Sequence, residues 1–143
     1  MTDFANRADT AALVYAYARA VDERNLALLE SLMRPDVRIA GPGFEARSCR
    51  EFLDTLRILE RYERTYHLVG NHAGEWSADE FRGETYCIAS HLYRVDGAAR
   101  KFDMGIRYGD HIVREDARLL FRERVLAVIW TQDLPATVGM PAS

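Results

Sequence analysis

The run Thr65-Tyr66-His67-Leu68-Val69-Gly70-Asn71-His72 sets two imidazoles in an apolar, strand-like segment. An imidazole, with an ordinary pKa of about 6.5, can take or give a proton near neutral pH, which makes it a natural general base. Side chains alternate along a strand, so regular pairing sends His67 and His72 to opposite faces and leaves one of them for an interior site. Two other polar groups stand where the chain should be apolar. Asp22 ends a helical run at a point where its apolar stripe would continue, and Tyr17 lies on that stripe. Five helical positions turn by about 140°, so phenol and carboxylate cannot touch along the helix but can flank one cavity. Interior ionisable groups cost several kcal/mol unless paired, so each of these residues is a candidate for proton transfer or for a structural pair. By the same alternation Arg122 and Arg124 share a strand face, with Asp103 and Asp110 as candidate ion-pair partners. His72, His111 and Trp76 read as structural or surface residues. HxH and HExxH spacings are absent from the sequence, and no metal site is expected.

The 143 residues, 48% hydrophobic and 29% charged, fit one domain spanning 1–143 with a core of independent stability. A net charge of -3, with arginines interleaved among acids, provides no basic field for phosphates and argues against a nucleic-acid partner. No apolar run approaches the ~20 residues needed to cross a bilayer, and the opening MTDFANRAD lacks a secretory core. No membrane partner is expected, and the expected location is cytoplasmic. Cys49 and Cys87, without a CxxC pairing, read as reduced core thiols.

The elements that must hold these side chains follow from periodicity. A first helix is expected from an N-cap at Asp9 or Thr10, with Val14, Tyr17, Ala18 and Val21 on one stripe. A second, from Asn25, stops before Arg34-Pro35 and forms a helical hairpin with the first. Val37 to Ala40 reads as a short strand, 41–43 as a turn, and Ser48-x-x-Glu51 as a capping box opening a third helix that ends near Tyr62. Beyond it the period changes to two. Segments 66–76, 84–95, 100–114 and 118–131 read as strands of an antiparallel meander, with turns at 77–79, 96–97 and 115–116. A flexible tail is expected from about 133. Three helices against a strongly bent sheet enclose a pocket, giving an α+β cone. Several strands are apolar on both faces, so helices should cover one face and a second subunit the other.

Four groups of residues carry a family resemblance: Tyr17-Ala-Arg-Ala-Val-Asp22, Thr65-x-His67-x-x-Gly-Asn71, Gly105-x-Arg107-Tyr108-x-Asp110, and Arg124 six residues before Trp130. In order and spacing, over roughly 8–131, they resemble the SnoaL-like branch of the nuclear transport factor 2 superfamily. That branch includes scytalone dehydratase, bile-acid 7α-dehydratase, hexachlorocyclohexane dehydrochlorinase, polyketide cyclases, steroid isomerases and cofactor-free aromatic lyases. The resemblance implies a cone fold, commonly dimeric or trimeric, and an Asp22–His67 dyad in which the carboxylate fixes the tautomer of the base. It implies further that Tyr17 hydrogen-bonds a carbonyl or leaving hydroxyl, and that His91, Arg124, Tyr108 and Asn71 bind substrate. Ile129 and Leu119 depart from the family, where many relatives have an aspartate and a tryptophan.

The expectation is a lyase needing no metal or organic cofactor. It would act on a mostly apolar, ring-containing hydroxy compound (aromatic, polyketide or steroid-like) in a cone lined by Tyr, Phe, Leu, Met and Trp. The reaction is either dehydration or retro-aldol cleavage releasing a small aldehyde. An isomerase or cyclase using the same dyad, or a non-catalytic binding or assembly module, is the alternative. A homodimer or homotrimer formed through the sheet is expected.

Overall fold

The computed structural model describes residues 3–139, with side chains from residue 9 onward. Helix α1 (Asp3–Asp22) begins before the expected cap. Thr10 is not that cap: it lies inside the helix, fully buried, with its hydroxyl 2.9 Å from His72 Nε2. The helix ends where Arg24 takes a left-handed backbone (φ 55°) and the Asn25 N–H closes back on the Ala20 carbonyl at 2.8 Å. Asn25 then caps α2 (Leu26–Ser31) by accepting from the Leu28 N–H at 3.0 Å.

Strand β1 (Met33–Gly41) is longer than the expected 37–40. Pro35, which has no N–H to give, falls where pairing with the last strand is interrupted between Met33 and Arg38. After β2 (Phe44–Ala46), Ser48 caps α3 (Cys49–Thr55) by accepting from the Glu51 N–H, while Glu51 reaches back to the Arg47 N–H. The single third helix expected to run to Tyr62 instead tightens into a 3-10 helix at Leu56–Arg61. Three residues per turn put Leu56 and Leu59 on one face.

Strands β3 (Arg64–Ser77), β4 (Glu80–Val95), β5 (Ala98–Glu115) and β6 (Arg118–Pro135) form the expected meander, turning at the expected places. The sheet order is β2-β1-β6-β5-β4-β3, and β1 runs parallel to β6, so the sheet is mixed rather than wholly antiparallel. The last strand continues to Pro135, into the segment read as tail, where Asp133 holds Arg100 and Tyr93. The fold is the expected α+β cone, with Val14, Val21, Leu29, Ile39, Phe52, Phe81, Ile112 and Phe121 packed between helices and the concave face of the sheet.

Bulges decide what faces inward. In β3, Val69 pairs with Cys87 but His72 with Thr85, so Gly70 and Asn71 together oppose Tyr86 alone. The extra residue reverses the alternation and puts His72 on the same face as Thr65, His67 and Val69. The expectation of opposite faces for the two histidines fails for this reason. In β6, Phe121 pairs with Ile112 and Glu123 with His111, so Arg122 is extruded to solvent while Arg124 turns inward and is 2% exposed. Arg122 and Arg124 therefore do not share a face. Among the described residues no helix is long and apolar enough to cross a membrane.

Candidate active site

Helix α1 delivers Asp22 at its last residue, and β3 delivers His67 opposite it. Asp22 Oδ1 lies 2.6 Å from His67 Nδ1, Asp22 Oδ2 accepts the His67 backbone N–H at 2.9 Å, and Oδ1 also accepts the Thr65 hydroxyl at 2.9 Å. Burial by itself raises the Asp22 pKa. It is outweighed by donation from the His67 ring, the His67 amide and the Thr65 hydroxyl, which together hold the carboxyl below its usual range. An ionised Asp22 accepts a hydrogen bond from His67 Nδ1–H, leaving Nε2 of His67 as the ring's acceptor.

The imidazole faces a cavity of about 320 Å³ whose walls include Tyr17, Phe44, Phe52, Leu56, His91 and Tyr108. Among the described residues no Asp, Glu, Lys or Arg lines it, and neither does a tryptophan, contrary to the sequence expectation. Trp130 is 45% exposed and lies on the outer face over Gly105. His91 Nδ1 meets the Phe102 carbonyl at 3.0 Å, so Nδ1 carries the proton, and burial lowers the pKa of this ring. Its Nε2 is then a second acceptor, with the two imidazole centroids 6.2 Å apart. Tyr17 is buried on the wall with its pKa raised to about 12, first by burial, so it stays a phenol that can donate.

Arg124 does not reach the cavity. Its Nε and Nη2 donate to the two Asp110 oxygens at 2.7 and 3.0 Å. Its guanidinium carbon sits 3.8 Å from the Tyr108 ring centre and 4.5 Å from that of Tyr17, so the two rings separate the charge from the pocket. The substrate-binding role expected of Arg124 is corrected to that of a buried support. Behind it runs a polar chain. Thr85 donates to Asp110 Oδ2 at 2.6 Å and lies 2.9 Å from His72 Nδ1, and His72 Nε2 meets Thr10. Asn71 is exposed on the outer face beside Leu68 and Tyr86, since the bulge that draws His72 inward leaves Asn71 outside. Its expected role as a substrate ligand in the cone is corrected accordingly.

Thus Asp22, His67, His91, Tyr17 and Tyr108 come together, and Arg124 and Asn71 do not join them. Sequence reasoning missed the part played by Thr65, although its place two residues before His67 on one strand face was a usable signal. It also missed Arg24, whose Nη1 donates to Thr65 Oγ1 at 2.8 Å. Among the described residues no three His, Cys, Asp or Glu side chains converge as a metal site requires.

Burial holds both His72 and His91 below the ordinary imidazole range. An unfolded chain binds protons at these rings below about pH 6.5 where the folded chain resists them, so their stabilisation is complete above that pH and lost as pH falls. We expect chemical-denaturation midpoints to drop between pH 7.5 and 5.5, with a slope of at most about 1.4 kcal/mol per pH unit per ring. His91→Gln should flatten this slope. An equal slope in wild type and variant would count against a buried neutral His91.

Comparison with known proteins agrees with this architecture. A family model described as "SnoaL-like domain" matches residues 2–125. No curated protein matches the sequence. Among solved structures, a putative scytalone dehydratase from Novosphingobium aromaticivorans superposes with a TM-score of 0.83 at 20% identity, over 98% of this chain and 97% of the other. A hexachlorocyclohexane dehydrochlorinase (LinA) type 2 gives 0.84 at 21%, over 96% and 95%. The type 3 enzyme from Novosphingobium barchaimii gives 0.82 at 20%, over 97% of each chain. At such identities the likeness speaks for the fold, and function must be argued from the site.

Proposed function

We propose that this chain, which belongs to the SnoaL-like domain family and has the nuclear transport factor 2-like fold, is a cofactor-independent lyase for a neutral, ring-containing hydroxy compound. The observation that carries this reading is the 2.6 Å Asp22–His67 pair, whose ring opens onto an apolar cavity. A scaffold protein has no use for such a pair turned toward a pocket. The distant structural relatives described as a dehydratase and dehydrochlorinases support elimination chemistry.

In the proposed reaction His67 Nε2 removes a proton from carbon, the C–H electron pair becomes a C=C bond, and the neighbouring C–O bond breaks. The departing hydroxide takes the proton back from His67 and leaves as water. Tyr17 donates a hydrogen bond to the substrate oxygen on which charge builds up, and the acceptor Nε2 of His91 orients a substrate hydroxyl. Among the described residues the wall carries aromatic and aliphatic groups with no cationic side chain, which favours neutral substrates over carboxylates.

The test is to incubate the protein with neutral ring hydroxy ketones and alcohols in deuterated buffer containing chelator, and to follow product mass. Loss of the mass of water supports the proposal. Release of a small aldehyde would assign C–C cleavage by the same base, and a product of unchanged formula carrying deuterium would replace the lyase with an isomerase.

The outer face supports assembly. Tyr66, Leu68, Ile88, Ile129 and Trp130 are 42–65% exposed on it or along its edge, an apolar expanse unusual for a monomer. We expect a homodimer or homotrimer by light scattering at micromolar concentration, and its dissociation by Leu68→Glu. A wild-type monomer would defeat this part of the reading.

A further inference from the structure

We infer that Arg24 is a positioning residue for the dyad and acts on it through Thr65. The chain segment Asp22-Glu23-Arg24-Asn25 looks like a solvated turn, and Arg24 is indeed an exposed residue. Its guanidinium nevertheless reaches back into the fold. Nη1 donates to the Val21 carbonyl at 2.7 Å and to Thr65 Oγ1 at 2.8 Å, and Nη2 lies 3.4 Å from the Leu59 carbonyl. The left-handed backbone that ends α1 makes this possible, because it turns the Arg24 side chain back against the helix end, β3 and the 3-10 segment.

Proton counting fixes the direction of every bond in this chain. A guanidinium has donors and no acceptor, so the Thr65 oxygen must accept from Arg24. A hydroxyl has one proton, and Thr65 sends it to Asp22 Oδ1. Asp22 Oδ1 therefore receives Thr65 O–H and His67 Nδ1–H, while Oδ2 receives the His67 amide. Each carboxylate oxygen is held from a fixed side, and the only His67 tautomer that fits carries its proton on Nδ1. Without Arg24, Thr65 is free to rotate its proton elsewhere, for example toward a backbone carbonyl, and Asp22 loses a donor that keeps its plane aligned with the ring. Arg24 touches neither His67 nor the 320 Å³ cavity, so its influence on the base passes through the hydroxyl.

The consequence for catalysis rests on His67 being the base proposed above, but the test does not. In nitrogen-15-labelled protein the shifts of the two His67 ring nitrogens report the tautomer without any substrate, so failure of this inference and failure of the lyase reading are seen separately. Wild type should show Nδ1–H almost alone. Arg24→Gly removes the guanidinium while keeping a residue comfortable at positive φ. It should raise the Nε2–H tautomer about tenfold, the effect of losing one charge-assisted hydrogen bond in the chain. Thr65→Val should do the same and Thr65→Ser should restore the wild-type ring spectrum. A merely structural link would alter stability and leave the tautomer where it was. An unchanged ring spectrum in folded Arg24→Gly overturns the inference, as does a Thr65→Ser spectrum resembling Thr65→Val. If Thr65→Val does not fold, the Arg24→Gly spectrum decides.

Discussion

Replacing His67 by alanine is expected to lower kcat/KM by about a hundred- to ten-thousand-fold, the usual worth of a positioned general base, with little change in substrate binding. Asp22→Asn should fall in the same range for a different reason. Asp22 meets three donors, Thr65 O–H, the His67 amide and His67 Nδ1–H, with two oxygens that only accept. An asparagine has one oxygen and one NH₂. With the NH₂ facing the His67 amide, two donors collide. Turned the other way, the NH₂ faces Nδ1 and Thr65, and the ring is driven to carry its proton on Nε2, where it cannot act as a base. Either orientation loses the arrangement without emptying the space. Steady-state kinetics on the substrate found by product mass would check both variants, with circular dichroism to confirm folding. Full turnover by folded His67→Ala would end the mechanism proposed here.

The contrast between what the chain revealed directly and what it concealed is instructive at the level of single residues. Helix and strand periods, the capping box at Ser48 and the turn signals at 77–79, 96–97 and 115–116 place most elements near their observed positions, because these are local preferences written in adjacent residues. The errors gather where a long-range contact overrides a local pattern. Thr10 looks like a cap but is recruited into the core by His72, 62 residues away. Pro35 looks like a barrier but sits in an unpaired stretch of β1. Most consequential are the bulges. One extra residue in β3 separates His72 from the face assigned to it and expels Asn71, and one in β6 parts Arg122 from Arg124. Strict alternation carries no sign of where it will be broken, apart from the Gly70-Asn71 pair, so any side chain beyond a bulge is assigned to the wrong face. His67 escapes this error because it precedes the bulge in its own strand, and Asp22 because it stands on α1.

The re-aimed Arg124 leads to the largest expected effect on stability. Had it reached the cavity, Arg124→Met would damage catalysis and spare the fold. Sealed behind Tyr17 and Tyr108 instead, it is the partner of a carboxylate whose side chain has no exposure, and its removal leaves Asp110 in the core without its cationic partner, with Thr85 still donating to it. Truncating one member of such a pair typically costs about 3–5 kcal/mol, since the surviving charge keeps its desolvation penalty and loses its compensation. In a domain of this size that is roughly 10 °C or more in Tm. Asp110→Asn should cost less than Arg124→Met, because the amide retains an acceptor for Arg124 and a place in the Thr85 contact, though it strands a positive charge among the rings. The double variant Arg124→Met with Asp110→Leu should recover a substantial part of the loss, because two apolar side chains leave no unpaired charge behind. Thermal and urea unfolding of wild type, Arg124→Met, Asp110→Leu and the double variant closes this cycle, with Asp110→Asn measured beside it. Additive losses in the double variant, or Arg124→Met with unchanged Tm and abolished turnover, would return Arg124 to the substrate and refute its assignment as a buried support for the phenols on the cavity wall.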